Sequence, residues 1–271
     1  MFTLNHAQEN TAVQLVRKVR ALGIDVPEQV AAEAKLYQQI RREDEHVNRA
    51  MQAAALRLTN VPLAEFDSAK TEFITSAATA YVTTNGASAA LADAVGRRLT
   101  SAVDRVIHQW EKSVVELFNA TVAEFDLNGV ADNLPNLGDK FNNSVLSFGQ
   151  AEGAAVQAWK DATDRLRPIW DVYCSIAVWD GYDAPDNVTV DTQSLGLLTA
   201  CRLGRPTSFN AAGGVAVWLV SVNSNTDNAK RWGQLATFIA PVKYGGYPLH
   251  LHTNAEAVAI SASLRRPSAA A

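Results

Sequence analysis

Apolar side chains recur every three or four residues along most of residues 10–168, with charged residues between them. This spacing places the apolar positions on one face of an α-helix. The first such stripe ends at Leu22-Gly23-Ile24, which has the form of a glycine C-cap followed by a hydrophobic contact. A second helix is predicted to begin at Asp25-Val26-Pro27-Glu28, because Asp suits the N-cap and Pro the first turn. The inward positions of these two helices are Ala12, Leu15, Val16, Val19, Leu22, Val30, Tyr37, Ile40, Val47, Met51, Ala54 and Leu58.

The longest helical pattern follows a shorter, third helix. Pro62 marks the start of a third helix, and Asn85-Gly86 marks its end. From near Ser88 the apolar spacing then continues without a break to Asn128-Gly129. It predicts one helix of about 37 residues, about 55 Å long at 1.5 Å per residue. Helices of that length are typical of bundles, coiled coils and assembly arms.

A last bundle helix is predicted to run from near Phe141 or Gln150 to Arg167, where Pro168 breaks or kinks it. Short connections between long helices favour antiparallel neighbours. The sequence therefore predicts a mainly α fold, with an antiparallel bundle of long amphipathic helices over residues 1–168. A smaller and less regular region, helical or α+β, is expected over residues 169–271.

Residues 169–190 are compatible with a strand or with a helix. Ala177 and Trp179 fill the alternate face, so strict alternation fails, and a helix that ends at Asp180 is favoured. Asp180-Gly181 is also a hairpin-type turn signal. Beyond it we expect short helices or strands over residues 193–203, 212–222 and 227–239, and then a turn at Gly245-Gly246. Residues 254–264 have helical spacing, and the tail at residues 269–271 is expected to be frayed.

Composition is that of a globular protein: 48% of the 271 residues are hydrophobic. Cys174 and Cys201 are too few for a disulfide framework, which favours a reducing compartment. The first six residues do not resemble a signal peptide, and the longest apolar stretch, about twelve residues, is shorter than the roughly 20 that span a bilayer. We expect no membrane partner, no classical secretion, and a location in the cytoplasm or within a viral particle.

Charge is divided along the chain. Residues 1–191 carry 17 Lys and Arg against 26 Asp and Glu, a net of −9, whereas residues 192–271 carry 7 against 2, a net of +5. Such a division favours contact between the basic end of one copy and the acidic body of another, or contact with nucleic acid. The basic region carries the candidate nucleic-acid contacts, interleaved with Trp218, Trp232, Tyr244 and Tyr247. These candidates are Arg202, Arg205, Lys230, Arg231, Lys243, Arg265 and Arg266.

His250-Leu251-His252 followed by Glu256 is the sharpest local motif. On an extended segment, histidines at i and i+2 point to one side and can share a metal ion. The motif resembles the H-x-H-x3-E core of cupin metal sites, with departures: Gly245 stands one residue late, and Ser263 occupies the place of the later glycine. A cupin site also needs a β-barrel, which the helical pattern does not predict. No bound metal or other cofactor is therefore expected.

Common catalytic signatures are missing: the chain has no G-x-S-x-G, H-E-x-x-H, G-x-x-x-x-G-K-[ST] or G-x-G-x-x-G motif. Long helices, divided charge and missing motifs together favour a non-enzymatic structural subunit that assembles with itself or with other assembly proteins, such as a coat or capsid component of a virion. Two alternatives stay open. One is a nucleoprotein that uses the basic C-terminal region, and the other is a metalloenzyme at His250, His252 and Glu256.

Overall fold

A computed structural model describes residues 7–135, 149–189, 192–224 and 226–265, and the regular structure within these ranges is helical. The prediction of a mainly α fold is therefore confirmed. The chain divides into two compact units, residues 1–106 and 107–271. The first unit contains α1 (Ala7–Ala21), α2 (Glu28–Asn60), α3 (Phe66–Asn85) and α4 (Ala87–Asp104). The second contains α5 (Ile107–Glu124), α6 (Gln150–Trp179), α7 (Gln193–Arg202), α8 (Phe209–Asn223), α9 (Asp227–Trp232) and α10 (Asn254–Arg265).

The first unit is built on a long helical hairpin. At 33 residues, α2 is about 50 Å long. α3 and α4 pack along it in succession and run in the opposite direction, as three polar contacts show. Near the tip Arg57 pairs with Glu72 at 2.7 Å, further along the Ser88 hydroxyl donates to Asp44 at 2.9 Å, and near the base Arg98 pairs with the buried Glu33.

α1 adds a third helix at the base of this hairpin only. Its Schellman C-cap matches the glycine signal in the sequence: Gly23 has φ 75°, its N–H donates to Arg20 O at 3.0 Å, and the Ile24 N–H donates to Val19 O at 3.3 Å. Three helices enclose an apolar core at the base, whereas the tip has only the α2–α3 seam. The core residues at the base are Ala12, Leu15, Val19, Val30, Ala34, Tyr37, Val95, Leu99 and Val103.

The single long helix predicted from Ser88 is two helices in the structure. α4 ends at Asp104, and α5 begins at Ile107. At the break, the Val106 N–H donates to Val103 O at 2.9 Å, a three-residue turn in place of the α-helical pattern. The break contains neither Gly nor Pro, so periodicity alone could not reveal it. It coincides with the division between the two units.

Pro168 does not break its helix, which was one of the two outcomes predicted for it. α6 continues through it for eleven further residues to Trp179. Pro168 is exposed, so its ring faces solvent, while the residues after it bury a dense apolar face comprising Ile169, Trp170, Val172, Tyr173, Cys174, Ile176 and Ala177. That burial outweighs the loss of one backbone hydrogen bond. The helix favoured for residues 169–180 is thus present, and the domain division predicted after residue 168 falls inside α6.

The second unit has an aromatic core. Trp170 stacks on Tyr173 with ring centroids 5.5 Å apart, and the Phe238 ring meets Trp170 edge-on at 6.2 Å and Phe118 at 5.7 Å. α5 packs on α6, and α7 packs on both α8 and α10. The short segments expected in the C-terminal third are helices, and a non-helical segment, residues 247–253, leads into α10.

Candidate functional site

Residues 247–253 lack a partner strand among the described residues, yet their backbone is hydrogen-bonded along both edges. On one edge, two asparagine side chains act as strand substitutes. Asn119 accepts from Leu251 N–H at 2.8 Å and donates to Leu251 O at 2.9 Å. Asn128 does the same with Leu249, at 2.9 and 3.1 Å. These paired amides supply the bonds that a neighbouring strand would make.

The other edge of this segment caps α7. His250 N–H donates to Leu203 O at 3.1 Å, and His252 N–H donates to Arg202 O at 2.8 Å. Carbonyls at a helix C-terminus have no partner within the helix, so these two bonds satisfy groups that would otherwise be unpaired. Alternate residues of the segment therefore join α5 and the loop after it to the end of α7.

His250 and His252 lie on one side of the segment, as their spacing predicts, with ring centroids 4.8 Å apart. His250 is exposed, whereas His252 is partly buried and its Nε2 has no hydrogen-bond partner among the described residues. Burial lowers the pKa of His252, and the neighbouring His250 and Arg205 lower it further, although Glu256 opposes them. The pair is thus positioned side by side, with the inner imidazole favoured in its neutral form.

Glu256 forms a capping box at the start of α10. Its Oε2 accepts from the Thr253 N–H at 2.9 Å, and the Thr253 hydroxyl accepts from the Glu256 N–H at 3.3 Å. Hydrogen bonds from Thr253 hold the pKa of Glu256 below its usual value. Its distance to His252 Nδ1 is 3.9 Å. Within the described ranges, no group of three or more His, Cys, Asp or Glu side chains is arranged to hold a metal ion.

A buried polar centre lies beside this segment. The Glu111 carboxylate accepts from both the backbone N–H and the side-chain amide of Asn254, each at 2.7 Å. Asn254 Oδ1 in turn accepts from Arg202 Nε at 2.9 Å and from the Tyr173 hydroxyl at 3.3 Å. Tyr173 also donates to His252 O at 2.9 Å. One amide thus bridges a buried carboxylate and a buried guanidinium, which brings α5, α6, α7 and α10 together.

Arg202, predicted as a nucleic-acid contact, is 0% exposed. Its Cζ lies 5.7 Å from the centre of the Tyr182 ring. Desolvation lowers the pKa of the guanidinium, opposed by the nearby Tyr173 and Cys174. In this fold, therefore, Arg202 faces the interior of the second unit and not solvent.

The remaining predicted basic contacts are dispersed. Arg205 and Arg265 are exposed, and Lys230 lies 3.5 Å from Asp227. Lys243 is half-buried and donates to Leu134 O. The side chain of Arg231 and the whole of Arg266 lie outside the described residues.

The aromatic residues interleaved with these cations serve mainly the core. Trp218, Trp232 and Tyr247 are buried, and Trp218 donates its ring N–H to Ala236 O at 2.7 Å. Tyr244 is half-exposed and stacks on Trp218 with centroids 4.2 Å apart. They therefore do not form an exposed stacking platform of the kind that single-stranded nucleic acid uses.

The residues that organise this site were not predicted. Asn119 and Asn128 look like ordinary polar positions near the end of an amphipathic helix, and Glu111 looks like a solvated charge. Their partners are more than 100 positions away in the chain. No local pattern signals a pairing of that kind.

No helix in the described part of the chain has the length and apolarity needed to cross a membrane. Comparison with protein families, with curated proteins and with solved structures gave no match.

Proposed function

We propose that this chain is a non-enzymatic assembly subunit that associates with copies of itself through the tip of its helical hairpin. We call this tip the two-helix arm and define it as residues 41–60 of α2 and 66–85 of α3. The observation that supports the proposal is the exposure of large apolar side chains on the arm. Tyr81 is 70% exposed, Leu56 67% and Val82 64%.

The exposure has a simple packing cause. Within the first unit, α1 covers only the base of the hairpin, so the arm buries one seam, which includes Ala54, Ala69 and Ala80. Small residues there allow close approach but bury little apolar area. On α3, Ile74, Ala78, Tyr81 and Val82 are spaced i, i+4, i+7 and i+8, which makes a second apolar face that points away from α2. A clustered apolar surface of this kind marks a protein contact.

A second copy of the same chain is the partner that this surface suits. Two antiparallel hairpins that pack side by side complete a four-helix bundle, a common solution for helical pairs with an uncovered face. A twofold contact brings each surface against itself, so charges near the axis would repel. Residues 73–92 contain no charged side chain. Self-contact along this stretch therefore carries no like-charge penalty.

The proposed contact between copies is apolar, whereas the contact expected from the sequence was electrostatic. The sequence favoured contact between the basic end of one copy and the acidic body of another. Within the basic region Trp218, Trp232 and Arg202 are buried, so this region presents less exposed charge and less exposed aromatic surface than its composition indicates. A virion coat or capsid is one assembly that such a subunit would suit.

The test introduces like charges on the arm. Ile74→Lys combined with Tyr81→Lys places two cations on the apolar face of each copy. We expect wild type to sediment as a dimer or larger species between about 1 and 100 μM, and the double variant to sediment as a monomer. Its thermal unfolding midpoint should stay close to that of wild type, because both positions are exposed.

His46→Lys combined with Ala53→Lys is the matched control. It adds the same charge to exposed positions of the same arm, on α2 and not on the apolar face of α3. This control should assemble like wild type. The proposal fails if wild type is monomeric throughout the range, or if the Ile74 and Tyr81 variant assembles equally well. Salt-dependent binding of a random oligonucleotide by monomeric wild type would instead favour the nucleoprotein hypothesis.

A further inference from the structure

An open cleft of about 520 Å³ lies between α7 and α10, within the second unit. The two helices run antiparallel, since Arg202 at the end of α7 meets Asn254 at the start of α10. The turn after α6 forms the third wall. The lining consists of Gly181, Tyr182, Asp183, Ser194, Leu195, Leu198, Val258, Ser261, Ala262 and Arg265.

Arg202 lies behind the Tyr182 wall of this cleft. Leu195, Leu198 and Arg202 are spaced i, i+3 and i+7, so they share one face of α7. Asn254 and Val258, at i and i+4, do the same on α10. The Tyr182 ring lines the cleft and also lies against the Arg202 guanidinium, so it separates that cation from the open space. A buried positive charge therefore lies one side chain behind the cleft wall.

The guanidinium of Arg202 is under-bonded. Of its nitrogens only Nε has a partner, the neutral Oδ1 of Asn254, while Nη1 and Nη2 are buried without a hydrogen-bond partner among the described residues. The Glu111 carboxylate of this network accepts its hydrogen bonds from Asn254. Four N–H donors of a buried cation with no acceptor are costly, and native structures normally supply one.

A helix cap fixes the backbone at Tyr182. Gly181 has φ 84°, its N–H donates to Val178 O at 3.2 Å, and the Tyr182 N–H donates to Ala177 O at 2.9 Å. This is a Schellman cap, which fixes the backbone of Tyr182 but does not by itself fix the rotamer of its half-buried side chain. A turn of this ring would open the path from the cleft to Arg202.

We propose that the cleft binds a small organic anion whose carboxylate or phosphate group pairs with Nη1 and Nη2 of Arg202 after the Tyr182 ring turns aside. The planar guanidinium binds either group through two parallel hydrogen bonds. Leu195, Leu198 and Val258 form an apolar wall for the body of the ligand. The volume is that of a site for one small molecule.

Charges around the cleft are consistent with an anionic ligand. Arg265 and Asp183, both exposed, line its outer part and offset one another. Arg202 is then the uncompensated charge on the path. The hydroxyls of Ser194 and Ser261 add neutral donors. This inference is independent of self-association through the two-helix arm.

The test uses inorganic phosphate and octanoate as separate probes on the full chain. Nitrogen-15 NMR follows the Arg202 Nε–H signal, while calorimetry gives the affinity. We expect saturable binding of at least one probe, with a shift of the Arg202 signal. Binding of phosphate alone would identify a phosphate-bearing ligand, and binding of octanoate alone would identify a carboxylate with an apolar body. Arg202→Met should weaken the binding by about tenfold or more.

Two further variants keep the result interpretable. Arg205→Met removes an exposed cation outside the cleft and should leave affinity unchanged. Tyr182→Ala removes the ring and should bind at least as tightly as wild type, which keeps the test informative if Arg202→Met does not fold. The proposal is overturned if neither probe binds saturably to wild type or to Tyr182→Ala. It is also overturned if a folded Arg202→Met variant binds as wild type does.

Discussion

At the scale of single residues, the second unit depends on side-chain amides that make hydrogen bonds usually made by backbone groups. Asn119 and Asn128 complete the hydrogen bonding of an isolated extended segment, and Asn254 joins Glu111 to Arg202. An amide can donate and accept at once without carrying charge. It can therefore bridge groups that would be costly to bury unpaired.

Asn254→Leu tests this bridge. The substitution fills similar space but leaves Glu111 and Arg202 without their shared partner. We expect it to lower the free energy of unfolding by about 3 kcal/mol, measured by urea denaturation. Ala255→Leu, at the exposed next position, is the control and should change stability by less than about 0.5 kcal/mol. Equal effects of the two substitutions would contradict the bridging role.

His252 should make stability depend on pH. Its pKa in the folded state is lowered by burial and by His250 and Arg205, so the unfolded chain takes up a proton first as the pH falls below about 6.5. The free energy of unfolding should then decrease between pH 7.5 and 5.5. We expect His252→Gln to reduce this decrease.

His108→Gln is the control for this measurement, because His108 is exposed on α5. The range stops at pH 5.5 because Glu256, with its lowered pKa, contributes stability that is lost only as the pH falls below about 4.5. An unchanged pH dependence in His252→Gln would show that the buried imidazole does not control this range.

At the scale of elements, helix ends follow local rules more closely than helix interiors do. Gly23 and Gly181 both sit at positive φ in Schellman caps, and both positions are visible in the sequence as glycines after an apolar stripe. Pro168 illustrates the opposite case. It lies inside α6, where a buried apolar face decides the outcome.

Gly181→Ala should destabilise the second unit by about 1 kcal/mol, because alanine pays a steric penalty at φ 84°. Gly153→Ala provides a matched control within α6. An added Cβ at Gly153 meets nothing within 4 Å, and its φ is not positive, so alanine there should stabilise by about 0.5 to 1 kcal/mol. Chemical denaturation of both variants would measure these opposite signs. The same sign for both would contradict the cap assignment.

At the scale of the whole molecule, each of the two units has its own core. The hydrogen bonds of the polar centre and of residues 247–253 lie within residues 107–271, and the contacts that align α2 with α4 lie within residues 1–106. Each set of contacts therefore lies entirely within one fragment when the chain is divided between the units.

Fragments test this division directly. Residues 107–271, expressed alone, should unfold cooperatively in urea and show a helical circular dichroism spectrum. A fragment of residues 169–271 should not, because the cut removes the first part of α6 and all of α5, and with them Glu111, Asn119 and Trp159. Cooperative unfolding of the shorter fragment would support the domain division predicted after residue 168.

The sequence by itself determined several helices of this protein, because a 3.6-residue apolar repeat and glycine caps act over a few residues. α1, α2, α3 and α10, and the helical end at Asp180, all follow from such signals. The break at Arg105-Val106 could not be predicted, since the apolar pattern on both sides is helical and no Gly or Pro interrupts it.

Only the tertiary structure decided which polar residues are buried. Arg202 and Arg205 belong to the same basic region of the sequence, yet one is 0% exposed and the other faces solvent. Their difference arises from Asn254, about 50 positions away, which offers a buried acceptor to one of them. The cost of burying a charge depends on partners that folding brings together. For that reason, the buried polar centre, the cleft behind which Arg202 lies and the uncovered face of the two-helix arm became visible only in the folded chain.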